Sequence, residues 1–165
     1  MAQQFSFDIV SEINFQEVDN ALNQSRKEVL QRYDFKGIAT SLELDEKGKT
    51  ITITTGDDFH LKSAVDILQN KMIKRGIHLK ALKYDAVQSA AGGAARQVIH
   101  LQVGIEKENA KEIVKMIKET KLRVQAQIME DQVRVSGKDK DELQTIQKLV
   151  REKDFPFAVQ FANYR

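Results

Sequence analysis

An internal repeat sets the terms for any fold of this chain. Shifting the sequence by 82 positions sets Leu42 on Val124, Ile51 on Val133, Ile53 on Val135, Leu61 on Leu143, Ala64 on Ile146, Ile67 on Leu149 and Leu68 on Val150. Every pair is apolar on apolar, and the register runs through a strand, a turn, a second strand and a helix. A length of 165 residues lies between one ordinary domain and two small ones, so the repeat decides for two copies of one module.

The pattern of each copy gives the module. Phe5 to Ile9 alternates as a strand, and Asn14 caps a helix over 15–32 with Val18, Leu22, Val29 and Leu30 facing inward. Strands follow over 38–45 and 49–55, joined by a turn at Glu46-Lys47-Gly48; Ile51 and Ile53 face the core and the threonines between them face out. Asp57 or Asp58 starts a helix that ends at Arg75-Gly76, and residues 78–84 form a fourth strand. After the small-residue stretch 86–95, the order restarts: strand 97–103, helix 107–120, strands 124–129 and 132–136, helix 139–152 and strand 157–162. The expected fold is therefore α+β, a tandem of two ferredoxin-like βαββαβ domains, each a four-stranded antiparallel sheet with two helices on one face. The expected boundaries are domain 1 at 1–87, a linker at 88–95 and domain 2 at 96–165; the plan also allows the first strands to be exchanged between the domains.

Composition narrows the function classes. With 41% hydrophobic and 30% charged residues the chain has the make-up of a soluble globular protein. Met1-Ala-Gln-Gln-Phe lacks the basic start and apolar core of a secretion signal, and no stretch has the ~20 apolar residues of a membrane span, so a cytoplasmic protein without membrane contact is expected. Zero cysteines exclude disulfides, thiolate catalysis, zinc fingers and iron–sulfur clusters. The net charge of +2 is too small to mark a nucleic-acid binder by itself. Residues 1–88 carry 12 basic and 13 acidic side chains and residues 89–165 carry 14 and 11, which puts the expected attraction for phosphate in the C-terminal half.

Recognisable catalytic patterns are absent, and no enzyme activity, catalytic residue, metal or cofactor is expected. Gly48-Lys49-Thr50 imitates the end of a phosphate-binding P-loop, but Glu43 stands where the motif needs glycine, and the segment joins two strands instead of opening a helix. The carboxylates Asp57-Asp58 and Asp139 with Asp141 fall at helix starts, where capping accounts for them. His60 and His100 have no sequence neighbour that would orient an imidazole.

Two surfaces suit phosphate. At 100° per residue, Ala110, Ile113, Val114 and Ile117 gather on one face of the 107–120 helix, while Lys107, Lys111, Lys115 and Lys118 fall in a stripe of roughly 80° beside it. Such a stripe tracks phosphates if it lines a groove; with Glu108, Glu112 and Glu119 close by, it reads equally as a solvated face of Glu–Lys pairs. Lys121, Arg123, Arg134 and Lys138 carry the basic character into the following strands. The second surface is the open sheet face, where the alternation turns His100, Gln102, Gln125, Gln127, Arg134 and Gln160 outward. It lacks the aromatic rings on which RNA-recognition motifs stack bases.

Dispersed motifs point further. Ser6-Phe-Asp-Ile-Val-Ser-Glu12, Arg32-Tyr-Asp-Phe-Lys-Gly37, Lys74-Arg-Gly76, Gly92-Gly93 with Arg96-Gln97, Gly104-Ile-Glu-Lys-Glu-Asn-Ala-Lys111, Lys121-Leu-Arg-Val-Gln-Ala-Gln127, Gln132-Val-Arg-Val-Ser-Gly-Lys138 and Gln160-Phe-Ala-Asn-Tyr-Arg165 together resemble the YajQ family of bacterial proteins. The resemblance implies a tandem of ferredoxin-like domains in the cytoplasm, nucleotide binding without catalysis, and, as in some members, recognition of cyclic di-GMP and regulation of transcription. The expected function is a non-enzymatic nucleotide-binding protein whose ligand is cyclic di-GMP, ATP, GTP or RNA. Its anion is expected to meet Lys107, Lys111, Lys121, Arg123, Arg134 and Lys138, with Arg96, Gln97, Lys36, Lys74 and Arg75 lining a cleft between the domains. The alternative is a protein–protein adaptor that modulates a transcription factor.

Overall fold

The computed structural model describes residues 4–165. In chain order its strands and helices are β1 (Phe5–Val10), α1 (Phe15–Gln31), β2 (Ser41–Asp45), β3 (Thr50–Thr55), α2 (Asp58–Lys74), β4 (Leu82–Tyr84), β5 (Gln88–Ser89) and β6 (Ala95–Leu101). There follow α3 (Lys107–Glu119), β7 (Val124–Met129), β8 (Gln132–Gly137), α4 (Lys140–Glu152) and β9 (Gln160–Ala162). Local chemistry accounts for the helix starts. The Asn14 side chain accepts from the backbone N–H of Gln16 and Glu17, Asp57 from that of His60, and Asp139 from that of Asp141, each satisfying a donor the helix cannot.

The described chain forms two compact units, one discontinuous. Val103–Arg165 joins the segment up to Glu12 in what is called here the split unit, and Ile13–Gln102 forms the inserted unit. The split unit is a complete module: β1, α3, β7, β8, α4 and β9, with strand order β7-β8-β1-β9 and every pair antiparallel. The inserted unit has the order β2-β3-β6-β4, so β6 fills the slot between β3 and β4 that β1 fills between β8 and β9. The chain thus divides after Glu12 and before Val103 and not at 88–95. The physical reason is that β1 and β6 find their hydrogen-bond partners in strands far away in sequence. Residues 88–95 lie inside the inserted unit, where β5 folds back on β6 with Gln88 opposite Arg96, and Gly92 and Gly93 at φ 72° and 80° make the turn.

Each unit has its own core. In the split unit Phe7, Ile9, Val133 and Val135 of the sheet pack with Ile113, Ile117, Leu143, Ile146 and Val150 of the helices. Ile51, Ile53 and Ile99 do the same with Val18, Leu22, Leu61 and Leu68 in the inserted unit. Leu30, expected inside, is 85% exposed because it stands 100° round the helix from buried Val29. Gly104, at φ 84°, donates its N–H to the Ser11 carbonyl at 2.6 Å, and a Cβ there would stand 2.6 Å from Asp131 Oδ2.

Candidate functional site

On the split unit, β7 runs antiparallel to β8, with Val124 opposite Gly137, and α4 starts three residues beyond Gly137. This places Arg123, Lys138 and Lys140 around one open groove of about 900 Å³. Phe5 lines it too, with Lys140 Nζ 4.7 Å from the centre of its ring. Lys140 was not among the expected residues; its signal was the second cation of the Lys138-Asp-Lys140 run. The other lining groups include Gln125, Ser136 and the carboxylates Asp139 and Glu142, of which Asp139 is engaged in capping α4.

The lysine stripe of α3 forms a second, shallower surface. Lys111, Lys115 and Lys118 border a depression of about 440 Å³ floored by Val114 and Ile128, with Glu119 at its edge. Lys107 opens α3, and Lys121 follows it with a left-handed φ of 59°; both are exposed. Among the described residues no carboxylate forms an ion pair with any of these five lysines, with Arg123 or with Lys138. The expected alternative of a face laced with Glu–Lys pairs is therefore not what α3 shows.

Arg134 differs. Its Nε donates to Asp8 Oδ1 at 2.9 Å across the open sheet face, and Asn163 Nδ2 donates to the other carboxylate oxygen at 2.7 Å. Burial alone would raise the Asp8 carboxyl; the hydrogen bonds from Arg134 and Asn163 outweigh it and hold the group below the ordinary carboxylate range. Arg134 is thus committed to Asp8, unlike the other expected cations of this unit. The open face read from the sequence is also divided: Gln125, Gln127, Arg134 and Gln160 lie on this sheet, whereas His100 lies on β6 of the inserted unit.

The remaining expected residues all belong to the inserted unit. Arg75 Nε stands 3.1 Å from Glu17, Arg96 donates to the Gln88 side chain at 3.0 Å, and Gln97 donates to the Asp85 carbonyl at 2.8 Å. Lys36 and Lys74 are exposed, the first after a 3₁₀ turn at Tyr33–Phe35 and the second at the end of α2. Contrary to expectation, both histidines are oriented. His100 Nε2 is 2.8 Å from Asp85 Oδ2. His60 Nδ1 is 2.7 Å from Asp57 Oδ1 and its Nε2 is 2.8 Å from the Asp34 carbonyl oxygen. Both atoms facing His60 are acceptors, so the ring satisfies them only as an imidazolium donating from both nitrogens. The Asp57 bond, followed by the Asp34 carbonyl, raises the group above its ordinary value.

Fold and surface together define a class: a two-module ferredoxin-like protein carrying unpaired cations around an open groove. The model of the family described as "Nucleotide-binding protein YajQ-like" matches residues 5–165, and the chain belongs to that family. A relative from Carboxydothermus hydrogenoformans is 54% identical over the full length of both chains. One from Chloroherpeton thalassium is 50% identical, also over both full lengths. A third, from Geotalea uraniireducens, is 54% identical over 97% of this chain and 98% of its own. All three carry the name "Nucleotide-binding protein".

Proposed function

We propose that this chain is a nucleotide-binding protein that holds its ligand by the phosphates in the groove of the split unit. The observation that carries the reading is the convergence of Arg123, Lys138 and Lys140 on one groove, the first two without any ion-pair partner among the described residues. Unpaired cations have their full charge to give to a phosphate, at no cost in broken internal pairs. Names of the relatives support the ligand class. Within it, ATP, GTP, cyclic di-GMP and RNA are the candidates, with Lys107, Lys111 and Lys121 serving as an extension for a longer polyanion. Binding serves regulation in the cytoplasm, and no catalytic step is part of it.

The test is a melting-temperature survey with ATP, GTP, cyclic di-GMP and RNA oligomers, since a ligand selective for the folded state raises the transition. At least one is expected to stabilise the protein. For an RNA oligomer, each cation removed by Arg123→Ala or Lys138→Ala should reduce the salt slope by about 0.7. Binding by the double variant with unchanged affinity defeats the assignment. A second reading, an adaptor for a transcription factor, draws support from Tyr33 and Phe59, which stand 87% and 69% exposed on the inserted unit. Partners that remain on the protein after nuclease treatment, and leave when Tyr33 and Phe59 are replaced by serine, would favour it.

A further inference from the structure

A further cavity of the split unit is lined by an amide that interrupts an otherwise apolar helix face. It measures about 490 Å³, the size of a small-molecule site, and shares Phe5 and Lys140 with the groove already described. One wall is α4, whose buried face is Leu143, Ile146, Gln147 and Val150. Three of these are apolar, as an amphipathic helix requires, and the fourth is an amide. Gln147 is only 9% exposed, and among the described residues its side chain has no hydrogen-bond partner. The amide atoms themselves are not buried, so Gln147 sinks its stem in the helix face and keeps its polar end in open space. The cavity is where Gln147 retains its exposure, because the residue lines it. Tyr164 lines the same space, 64% exposed, its ring held at 30° to that of Phe7 with 6.4 Å between centres.

We infer that this cavity is a nucleobase chamber in which the Gln147 amide reads the edge of the base and Tyr164 offers it a ring to stack on. The chemistry that fits an amide is a planar heterocycle with a donor and an acceptor side by side, since Gln presents one carbonyl and one NH₂ in a single plane. Every nucleobase has such an edge, and an aromatic ring accepts the face of any of them. Lys140 borders both cavities, so a ligand whose base sits at Gln147 runs its phosphates past Lys140 toward Lys138 and Arg123. The inference deepens the nucleotide reading of the neighbouring groove and rests on it for the route of the phosphates.

Free nucleosides and inorganic tripolyphosphate separate the two halves. The full-length protein, labelled with nitrogen-15, is titrated with adenosine, guanosine, cytidine and uridine, with ribose as control, and separately with tripolyphosphate. At least one nucleoside is expected to shift the Gln147 side-chain amide signals and to quench tyrosine fluorescence, while ribose does neither. Gln147→Leu should weaken that nucleoside at least tenfold, leave tripolyphosphate affinity unchanged, and melt no lower than the parent protein. Gln147→Glu, which offers acceptors only, should change the order of preference among the four. Nucleosides that leave the Gln147 amide unmoved, or that bind Gln147→Leu as well as the parent, overturn the chamber even if tripolyphosphate still binds. Nucleoside shifts at Gln147 without any tripolyphosphate binding uphold the chamber and overturn the phosphate groove instead. If Gln147→Leu does not fold, the amide shift in the parent protein decides alone.

Discussion

The two units are copies of one plan, yet they differ in what their basic side chains touch. In the inserted unit every arginine is committed, Arg26 to the Leu42 carbonyl, Arg32 to Asp34, Arg75 to Glu17 and Arg96 to the Gln88 side chain, and Lys71 meets Glu28, while Lys36 and Lys74 stand exposed without an ion pair among the described residues. The split unit leaves Arg123, Lys138 and the α3 lysines without ion-pair partners. Net charge points the other way, with 13 basic and 11 acidic residues in the inserted unit and 13 of each in the split unit. Counting charge therefore does not pick out the proposed phosphate surface. What decides is whether each cation already has a carboxylate, because a paired cation must lose that partner before it serves a ligand.

Arg134 is the exception within the split unit, and it offers the largest expected effect. Asp8 is 1% exposed, so Asp8→Ala strands the guanidinium and removes the acceptor of Asn163. The expected loss is about 3 kcal/mol in urea unfolding, at the low end for a broken buried pair because Arg134 is partly solvated. The pH dependence has a definite sign: the folded carboxyl lies below its ordinary value, so its contribution is present above about pH 4 and lost as pH falls through the folded value. Asp8→Asn should remove that acid-side slope. A loss under about 0.5 kcal/mol would place Arg134 among the free cations after all.

Next in size is the loss of ligand affinity on neutralising the groove. Arg123→Ala with Lys138→Ala should weaken the best nucleotide at least tenfold in calorimetry, about 1.4 kcal/mol, with the melting temperature of the free protein nearly unchanged. A drop in stability of similar size would show that these side chains are structural, and the contrast between the units would fail.

The inserted unit should show a smaller effect on the alkaline side. His60 has a raised folded value, so its contribution is complete below about pH 6.5 and is lost as pH rises through that folded value. Proton NMR should find the His60 ring titrating above the ordinary histidine value, and His60→Gln should flatten the melting temperature between pH 6 and pH 9. A ring titrating at or below the ordinary value would contradict the two-acceptor geometry. The smallest effect is expected from Arg75→Ala, which breaks a half-buried pair with Glu17: about 1 kcal/mol in stability and no change in nucleotide affinity. Any loss of affinity there would carry the phosphate surface into the inserted unit.

Much of the fold was legible because its signals are local. The strand at 124–129 and the caps Asn14, Asp57 and Asp139 follow from alternation and from side chains that satisfy their own helix. Of the site, Arg123 and Lys138 were legible as cations, whereas their meeting with Lys140 and Phe5 depends on β7 and β8 lying antiparallel. Gln147 left one sign, a polar residue at the i+4 position from Leu143 on an apolar stripe, which means little until a cavity is seen beside it. For His60 half of the arrangement was local, Asp57 standing three residues before it, whereas Asp34 lies 26 residues away and offers a backbone carbonyl.

By itself the sequence determined the elements, their order and the double ferredoxin-like plan, because periodicity and capping are properties of a few neighbouring residues. Tertiary structure alone decided that β1 completes the sheet of β8 and β9 while β6 takes the matching slot between β3 and β4. Alternation marks which face of a strand is apolar and leaves its partner open. The partner is settled only when distant edges compete for the same hydrogen bonds, and that competition also brought Asp8 opposite Arg134.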